Sequence, residues 1–298
     1  MNISEPRWRV GFDIGGTFTD FVLYDGKTAS VTLHKRLTTP HDPSEAALKG
    51  LEEILEMRGV SHADLSEIVH GTTLVTNAVI ERKGAPVGLI TTRGFRDILE
   101  MGTEQRYDIY DLYVAFPEPI VSRELRLEVD ERVTAAGDVV TPLDEAAVLA
   151  SARALVAQGC EAIAIAFMHS YANTAHERRA AEIVRGAFPD LAISISSDVV
   201  AEMGEYQRIV TTCANAFVQP LMHRYLTRLE QALTAKGFAG PLRLMHSAGG
   251  LVSLETARDF PIRLLESGPA GGGPATAPFA EGAGLKGVIS FAIGGTTA

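Results

Sequence analysis

Residues 11–24 read GFDIGGTFTDFVLY, two segments that alternate apolar and polar residues around a pair of glycines. The few residues between the segments predict a β-hairpin rather than a strand followed by a helix. Glycines let the backbone approach an anion closely, and successive N–H groups at such a turn form an anion-binding nest. A plain hairpin without a ligand is the alternative.

The residues around the glycines favour phosphate as the anion. Asp13 ends the first strand, where a carboxylate can hold the water around a Mg²⁺ ion that accompanies phosphates. Threonine hydroxyls after the turn add hydrogen-bond donors. The pattern is neither a GxxxxGK[ST] loop nor a GxGxxG turn that opens a helix. We predict that Asp13 positions metal and phosphate, next to a phosphate loop formed by Gly15, Gly16, Thr17 and Thr19.

The chain ends on a second copy of the pattern, GVISFAIGGTTA at residues 287–298. Two such hairpins, each at the start of an α/β domain, can clamp the phosphates of a nucleotide between them. The predicted second phosphate loop consists of Gly294, Gly295, Thr296 and Thr297.

Composition excludes several classes of partner. The 298 residues carry a formal net charge of −10, which argues against nucleic acid or an anionic membrane as the main partner. No apolar run approaches the roughly 20 residues that span a bilayer, and the first residues show no signal-peptide pattern. The two cysteines, Cys160 and Cys213, have no metal or redox spacing, so we expect buried thiols in a cytoplasmic protein.

Strand and helix patterns alternate along most of the chain, which predicts an α/β fold. Residues 161–167, EAIAIAF, are typical of a parallel strand buried on both faces. Residues 104–142 predict a loop with short strands, inserted beside a cleft. Residues 204–237 predict a long helix that bends near Pro220, and VISFAI, residues 288–293, predicts the last strand.

Other polar positions are candidate contacts for a substrate. Thr72 and Thr73 lie between a strand and a helix and could face an anion, or one of them only caps that helix. Asn77 lies on the same helix, where a solvated or packing role is the alternative. Arg106 falls among tyrosines and could grip a polar cyclic substrate, and a surface loop packed by its own aromatic residues is the alternative.

Further candidates lie in the last third of the chain. Asn215 is a polar residue among apolar ones on the long helix and could line a cleft. Glu205 and Arg208, three residues apart, predict an ordinary helix ion pair. Ser267 and Gly268 open the segment SGPAGGG, which predicts a flexible glycine loop close to nucleotide or substrate, or a close-packed turn.

His169 and His176 suggest a metal site only weakly, because they lie seven residues apart across a loop-to-helix junction. Thr174 and Glu177 fit a capping box, with Thr174 as the N-cap and Glu177 at the third helical position. The capping box explains the acid without a metal.

DIGGTFTD resembles the first phosphate loop of the actin, sugar kinase and Hsp70 superfamily. Other segments narrow the resemblance to the hydantoinase A/5-oxoprolinase family, which also includes acetone carboxylase subunits. These segments are HGTTLVTNAVIERKG (70–84), TTRGFRDILEMG (91–102), HSYANTAHE (169–177), GEYQRIVTTCANAFVQP (204–220), HSAGG (246–250) and ESGPAGG (266–272). The resemblance runs through essentially the whole chain and corresponds to the N-terminal half or less of a usual family member.

The resemblance implies a fold and a domain division. The fold is an α/β, actin-like (ribonuclease H-like) ATPase domain with a mixed sheet, which stops before the second nucleotide-binding domain is complete. Residues 1–198 form the hydantoinase/oxoprolinase N-terminal domain with the first phosphate loop. Residues 199–298 begin the hydantoinase A core domain and end at the second phosphate loop.

The resemblance also implies ATP- and Mg²⁺-dependent work on a cyclic amide such as a hydantoin, 5-oxoproline or a lactam. Phosphorylation of the poorly electrophilic carbonyl makes its oxygen a good leaving group, so that water can attack. A second, hydantoinase B-type subunit is implied as partner. Alternatives are an ATP-dependent ketone carboxylase subunit of the acetone type and a non-catalytic, degenerate fragment. A sugar or acyl kinase is disfavoured by the family segments.

Two departures from the family bear on activity. Ala292 stands where the family has an aspartate that matches Asp13, so the second loop keeps its turn but lacks a carboxylate. The adenosine-binding loop of the superfamily would follow residue 298. We therefore expect that the chain by itself binds phosphate poorly and does not turn over.

Overall fold

The computed structural model describes residues 7–39, 42–103, 105 and 108–291. The chain forms two compact units. The discontinuous unit comprises Met1–Lys83 and Leu221–Ala298, and the inserted unit comprises Gly84–Pro220. The predicted domains 1–198 and 199–298 are divisions along the sequence and stay a prediction beside these compact units.

The strands are β1 (Trp8–Ile14), β2 (Phe18–Asp25), β3 (Ser30–Leu37), β4 (Leu65–Thr72), β5 (Val87–Thr92), β6 (Arg126–Val129), β7 (Arg132–Val133), β8 (Val139–Thr141), β9 (Ala162–Ala166), β10 (Ala192–Ile195), β11 (Leu242–Met245) and β12 (Leu251–Ser253). The α-helices are α1 (Pro43–Glu56), α2 (Leu74–Ile80), α3 (Ile98–Met101), α4 (Glu145–Ala157), α5 (Ala175–Ala187), α6 (Ser196–Val199), α7 (Glu205–Ala235), α8 (Leu254–Asp259) and α9 (Ser267–Gly282). No helix in the described ranges is long and apolar enough to cross a bilayer.

The sheet of the discontinuous unit has the order β12-β11-β4-β1-β2-β3. Strands β1, β2 and β3 are antiparallel neighbours, whereas β4 runs parallel to both β1 and β11. The sheet is therefore mixed, and the α/β class predicted from the sequence is confirmed. The predicted hairpin is confirmed too, with Asp13 directly opposite Asp20.

One face of this sheet packs against α1. Alternation along the hairpin buries Phe12 and Phe21 on that face, and Leu51 and Ile54 from α1 are buried as well. A Cβ atom at Gly50 of α1 would lie 2.3 Å from the Phe21 ring, so glycine lets the helix approach the sheet closely. The carboxyl end of β1 is thus held on a rigid base.

The inserted unit is built on a parallel sheet of order β10-β9-β5-β6. Every residue of β9 is buried, as predicted for a parallel strand covered on both faces. The core includes Val148 and Leu155 of α4 and Val184 of α5. Residues 104–142 contain the short strands β6, β7 and β8, as predicted.

Two predicted elements near the end of the chain were wrong. SGPAGGG is not a loop, because α9 begins at Ser267 and includes these residues. Pro269 falls in the first turn of the helix, where a missing N–H leaves no hydrogen bond unmade. Residues 288–291 form no strand, and 292–293 lie outside the described residues. The long helix is confirmed as α7, with Pro220 inside it.

Candidate phosphate-binding site

The turn between β1 and β2 is closed by backbone hydrogen bonds. Gly15 N–H donates to the Phe18 carbonyl at 2.9 Å, and Thr38 N–H donates to the Thr17 carbonyl at 2.9 Å. The N–H groups of Gly16 and Thr17 have no partner among the described residues, and both residues are exposed. Two adjacent donors therefore face solvent from a fixed turn, which is the arrangement that an anion nest requires.

Thr19 holds the turn and is fully buried. Its hydroxyl lies 3.0 Å from the Thr38 hydroxyl, which donates to the Gly15 carbonyl at 2.9 Å. This geometry favours a supporting role for Thr19 over the predicted phosphate contact. Sequence reasoning missed Thr38, and the signal was its position directly after β3, whose Leu37 pairs with Phe18 at the turn.

Asp13 lies on the sheet face opposite the α1-packed face. Its carboxylate accepts no hydrogen bond from the described part of the chain. Although the side chain is partly solvent-accessible, the surrounding protein desolvates the carboxyl, and the negative charge of Asp20 adds to this; both raise its pKa above the ordinary value. A Cβ atom at Gly71 would lie 2.8 Å from Asp13 Oδ1, so glycine at this position leaves room for the carboxylate. A bound cation would relieve the charge.

The segment after β4 is tied to the end of β1. Thr73 donates to the Ile14 carbonyl through its N–H at 3.0 Å and through its hydroxyl at 3.1 Å. The Thr72 hydroxyl accepts Leu74 N–H at 3.1 Å, whereas Thr73, the N-cap residue of α2, makes no side-chain cap. Asn77 donates to the Thr73 hydroxyl oxygen at 3.2 Å, and its own Oδ1 is buried without a partner in the described residues.

The start of α9 joins the same region. Ser267 is buried and donates its hydroxyl to the Thr72 carbonyl at 2.9 Å. The Ser247 hydroxyl donates to the Arg263 carbonyl at 2.7 Å and accepts Glu266 N–H at 3.0 Å, so the HSAGG segment positions the helix. A Cβ atom at Gly268 would meet nothing within 4 Å. Sequence reasoning did not include Ser247 among the site residues.

The structure therefore brings part of the predicted set together. The residues that meet at the carboxyl ends of β1 and β4 are Asp13, Gly15, Gly16, Thr17, Thr19, Thr72, Thr73, Asn77 and Ser267 with Gly268. Asn215 lies in the inserted unit, where it is buried and donates to the Ser194 hydroxyl at 3.0 Å. Arg106, Ala292, Gly294, Gly295, Thr296 and Thr297 lie outside the described residues.

The inserted unit contains a buried polar network at the carboxyl ends of its strands. The predicted ion pair between Glu205 and Arg208 is confirmed. The predicted capping box is wrong, since Thr174 makes no side-chain cap and Glu177 is completely buried. Glu177 instead accepts the N–H groups of Phe167 at 2.9 Å and Ser197 at 2.8 Å, because neighbouring strand ends direct those donors at it.

Burial raises the pKa of the Glu177 carboxyl above its usual value, against the opposing effect of these hydrogen bonds. His169 and His176 each face a glutamate in this region, Glu205 at 3.7 Å and Glu131 at 2.8 Å respectively. Within the ranges that the structure describes, no three His, Cys, Asp or Glu side chains are grouped as a metal site.

The fold and the turn define an α/β protein whose first hairpin offers backbone donors beside a strand-end carboxylate. The model of the hydantoinase/oxoprolinase N-terminal region matches residues 9–188, and the hydantoinase/oxoprolinase model matches residues 208–298. The chain belongs to the hydantoinase/oxoprolinase family.

Two relatives are named for different substrates. The chain is 36% identical to caprolactamase subunit alpha of Pseudomonas jessenii, over 99% of this chain and 43% of that protein. It is 34% identical to acetophenone carboxylase gamma subunit of Aromatoleum aromaticum, over 97% of this chain and 41% of that protein. The chain spans less than half the length of these relatives.

Two solved structures share the fold over nearly the whole chain. The ATP-dependent caprolactamase of Pseudomonas jessenii superposes with a TM-score of 0.86 at 36% identity, over 96% of this chain and 42% of that chain. A nucleotide-free acetone carboxylase superposes with a TM-score of 0.83 at 29% identity, over 93% of this chain and 41% of that chain.

Proposed function

We propose that this chain is the phosphate-binding part of an ATP-dependent enzyme subunit that opens a cyclic amide, such as a hydantoin, 5-oxoproline or a related lactam. The observation that carries the proposal is the fixed turn with unpaired N–H groups at Gly16 and Thr17 beside the Asp13 carboxylate. The named caprolactamase relative supports the substrate class. A second, hydantoinase B-type subunit as partner is part of the proposal, and relatives named as subunits support it.

The residues at the turn fit a nucleotide phosphate with Mg²⁺. ATP would supply the phosphoryl group that converts the amide oxygen into a leaving group, and Mg²⁺ would neutralise part of its charge. The Gly16 and Thr17 N–H groups would hold phosphate oxygens, and the Thr17 hydroxyl would add a donor. Asp13 would orient the hydrated cation, since its carboxylate has no competing partner in the described residues.

Ketone carboxylation is the second candidate. The observation in its favour is the similarity to proteins named for acetophenone and acetone carboxylation. Both candidates need the same phosphate-binding turn, because a ketone oxygen and an amide oxygen can each accept a phosphoryl group. The substrate distinguishes them.

The first experiment tests nucleotide binding at the turn. Amide spectra of the ¹⁵N-labelled protein are recorded with MgATP at millimolar concentrations, so that weak binding is also seen. We expect the Gly16 and Thr17 signals to move, and Asp13→Asn to weaken binding by about 5- to 30-fold, the loss of one charge-assisted contact of about 1–2 kcal/mol.

Asp20→Asn is the matched control, because Asp20 lies opposite Asp13 but pairs with Lys35 at 2.8 Å. Its binding should not weaken, because Asp13 keeps its carboxylate and loses only the repulsion from Asp20 that raises its pKa. Unmoved Gly16 and Thr17 signals would contradict the proposed site. Tight, stoichiometric binding would contradict only the expectation that the chain alone binds phosphate poorly.

A second experiment separates the functions. Phosphate release is measured with hydantoin, 5-oxoproline, caprolactam, or acetone with bicarbonate, each with and without a co-purified partner. Release that depends on a cyclic amide supports the main proposal, and release that depends on a ketone supports the second candidate. Nucleotide binding without release on any substrate would favour a non-catalytic module.

A further inference from the structure

The parallel sheet of the inserted unit reverses its strand order at β5. Strand β6 pairs on one side of β5, and the later strands β9 and β10 lie on the other side. In open α/β sheets, ligands bind outside the carboxyl ends of the strands at such a point of reversal. The polar side chains at the carboxyl ends of β5 and β9 are therefore candidates to contact a ligand in this unit.

A chain of hydrogen bonds links four segments of the chain at this point. Met168 N–H, after β9, donates to the Thr92 hydroxyl oxygen at 2.9 Å, and the Thr92 hydroxyl donates to Glu131 Oε1. Glu131 Oε2 lies 2.8 Å from Nδ1 of His176, the second residue of α5. Both oxygens of a buried carboxylate are thus in use, and its orientation is fixed from two sides.

This geometry sets the tautomer of His176. The carboxylate only accepts, so Nδ1 carries a proton, and in the neutral imidazole Nε2 presents a lone pair. Nε2 makes no hydrogen bond within the described part of the chain, and 12% of the side chain is exposed. An imidazole held at Nδ1 by a carboxylate, with a free Nε2, is the arrangement of a general base.

The adjacent Glu177 shows what a purely structural acid does in the same place. It is fully enclosed, and it accepts the Ser196 hydroxyl at 2.5 Å together with two backbone N–H groups. Neither oxygen of the Glu177 carboxylate is exposed to solvent. Glu131 uses one of its two oxygens to hold a histidine whose other nitrogen is open, and a structural role alone does not require this.

We propose that His176, positioned by Glu131, is the general base of a second site at the reversal point of the inserted sheet, for a small molecule with an amide carbonyl. As a water oxygen bonds to the carbonyl carbon, one water proton passes to Nε2 and the carbonyl π electrons move to oxygen. On collapse, the C–N bond breaks and Nε2 returns the proton to nitrogen. Glu131 stabilises the transient imidazolium. Only the choice of an amide as ligand rests on the proposed function.

The chain offers a matched control in His34. Its Nε2 lies 2.7 Å from Glu53, whose side chain is 41% exposed, so this pair is similar in distance but solvated. Glu131→Gln removes the buried carboxylate charge, and Glu53→Gln removes the solvated one. Both variants keep the size of the side chain.

The first measurement uses ¹⁵N-histidine spectra and acylation by diethyl pyrocarbonate, followed by mass spectrometry. We expect neutral His176 to be protonated at Nδ1 and its acylation to slow by about 10- to 100-fold in Glu131→Gln, because loss of the carboxylate that orients a histidine and raises its basicity has effects of about this size at metal-bound histidines. His34 should change by less than about threefold in Glu53→Gln. A neutral His176 protonated at Nε2, or acylation indifferent to Glu131, would overturn the proposal. The wild-type tautomer decides even if Glu131→Gln does not fold.

The second measurement adds millimolar hydantoin or 5-oxoproline without nucleotide. Shifts of the His176 ring signals, with His34 unmoved, support an amide ligand at this site. Equal or absent shifts at both histidines would overturn the ligand class. The MgATP titration at Gly16 and Thr17 tests the proposed function independently. The His176 site and the phosphate-binding site can therefore be contradicted separately.

Discussion

The two sheets end differently at the carboxyl ends of their parallel strands. In the discontinuous unit, Gly16, Thr17 and Asp13 place polar groups at the surface without partners among the described residues. In the inserted unit, Glu177 and Arg208 are fully buried, and most of their polar atoms are hydrogen-bonded. Exposed donors can exchange water for a ligand at little cost, whereas a buried network holds elements together. Substitutions at the first end should mainly change binding, and those at the second should mainly change stability.

The largest effect is expected at Arg208. Arg208→Met leaves the Glu205 carboxylate without its counter-charge and removes the hydrogen bonds to the Ser196 hydroxyl and the Phe167 carbonyl, so the free energy of unfolding should fall by about 3–5 kcal/mol. Denaturant unfolding measures the loss. Arg179→Met is the control, because Arg179 pairs with Glu145 on the exposed surface and its loss should be barely measurable. Equal losses in both variants would contradict a structural role for the buried hydrogen bonds of Arg208.

The second prediction concerns pH and the buried His70. Burial lowers the pKa of His70 to about 4, and its Nε2 lies 2.8 Å from the Tyr225 hydroxyl. The unfolded chain takes up this proton below about pH 6.5, but the folded protein does so only near pH 4, so stability falls as pH drops between these values. The loss amounts to about 3 kcal/mol at most.

Glu177 works in the opposite direction, because its raised pKa makes the folded protein lose stability as pH rises above about 4.5. Urea unfolding at a series of pH values, for the wild type and for His70→Gln, separates the two groups. The variant should lose the part of the slope that rises with pH between 4 and 6.5. An unchanged slope would show that His70 does not titrate as its burial requires.

The third prediction tests whether the carboxyl end of β1 affects MgATP binding without affecting stability. A Cβ atom in Gly71→Ala would press on Asp13 Oδ1, the end of a side chain that can rotate away. We expect a stability loss below about 1 kcal/mol, together with MgATP binding about 5- to 30-fold weaker. The amide titration and urea unfolding give both values. Gly186→Ala, where a Cβ atom meets nothing within 4 Å, serves as the control for binding. A large stability loss with unchanged binding would contradict the expectation that substitutions at this end of the sheet mainly change binding.

The sequence allowed the hairpin to be predicted because period-two alternation and a glycine turn are local signals. Local signals failed where distant strands supply the partners. Thr174 and Glu177 satisfy the spacing of a capping box, but the ends of β9 and β10 offer Glu177 buried donors instead. Ser267 was taken for loop because glycine and proline are poor helix formers, and its hydrogen bond to Thr72 spans most of the chain.

The supporting residues of the turn were missed for a related reason. Thr38 acts on Gly15 across 23 positions, and only the pairing of β2 with β3 places it there. Ser247 accepts the Glu266 N–H across 19 positions, with β12 and α8 between the two residues. Sequence patterns thus favour the groups that face a ligand, which lie within one turn, and they overlook the residues that hold that turn.

The last prediction concerns Thr38, which supports the turn without facing a ligand. Thr38→Val removes the hydroxyl that bonds to the Gly15 carbonyl and leaves the buried Thr19 hydroxyl without its partner, so the free energy of unfolding should fall by about 1–2 kcal/mol. Thr28→Val is the control, since its hydroxyl bonds to Ser30 on the exposed surface. Urea unfolding measures both variants, and hydrogen exchange of the Gly16 and Thr17 amides reports the turn.

The double variant Thr19→Val/Thr38→Val sharpens this test. Removing both hydroxyls leaves no orphaned donor between them, so the double variant should cost less than the sum of the single changes. Faster amide exchange at Gly16 and Thr17 should accompany the loss, because the carbonyl of Gly15 is no longer held. Additive losses with unchanged exchange would mean that the two threonines pack independently and that the backbone of the hairpin alone keeps the turn open to a ligand.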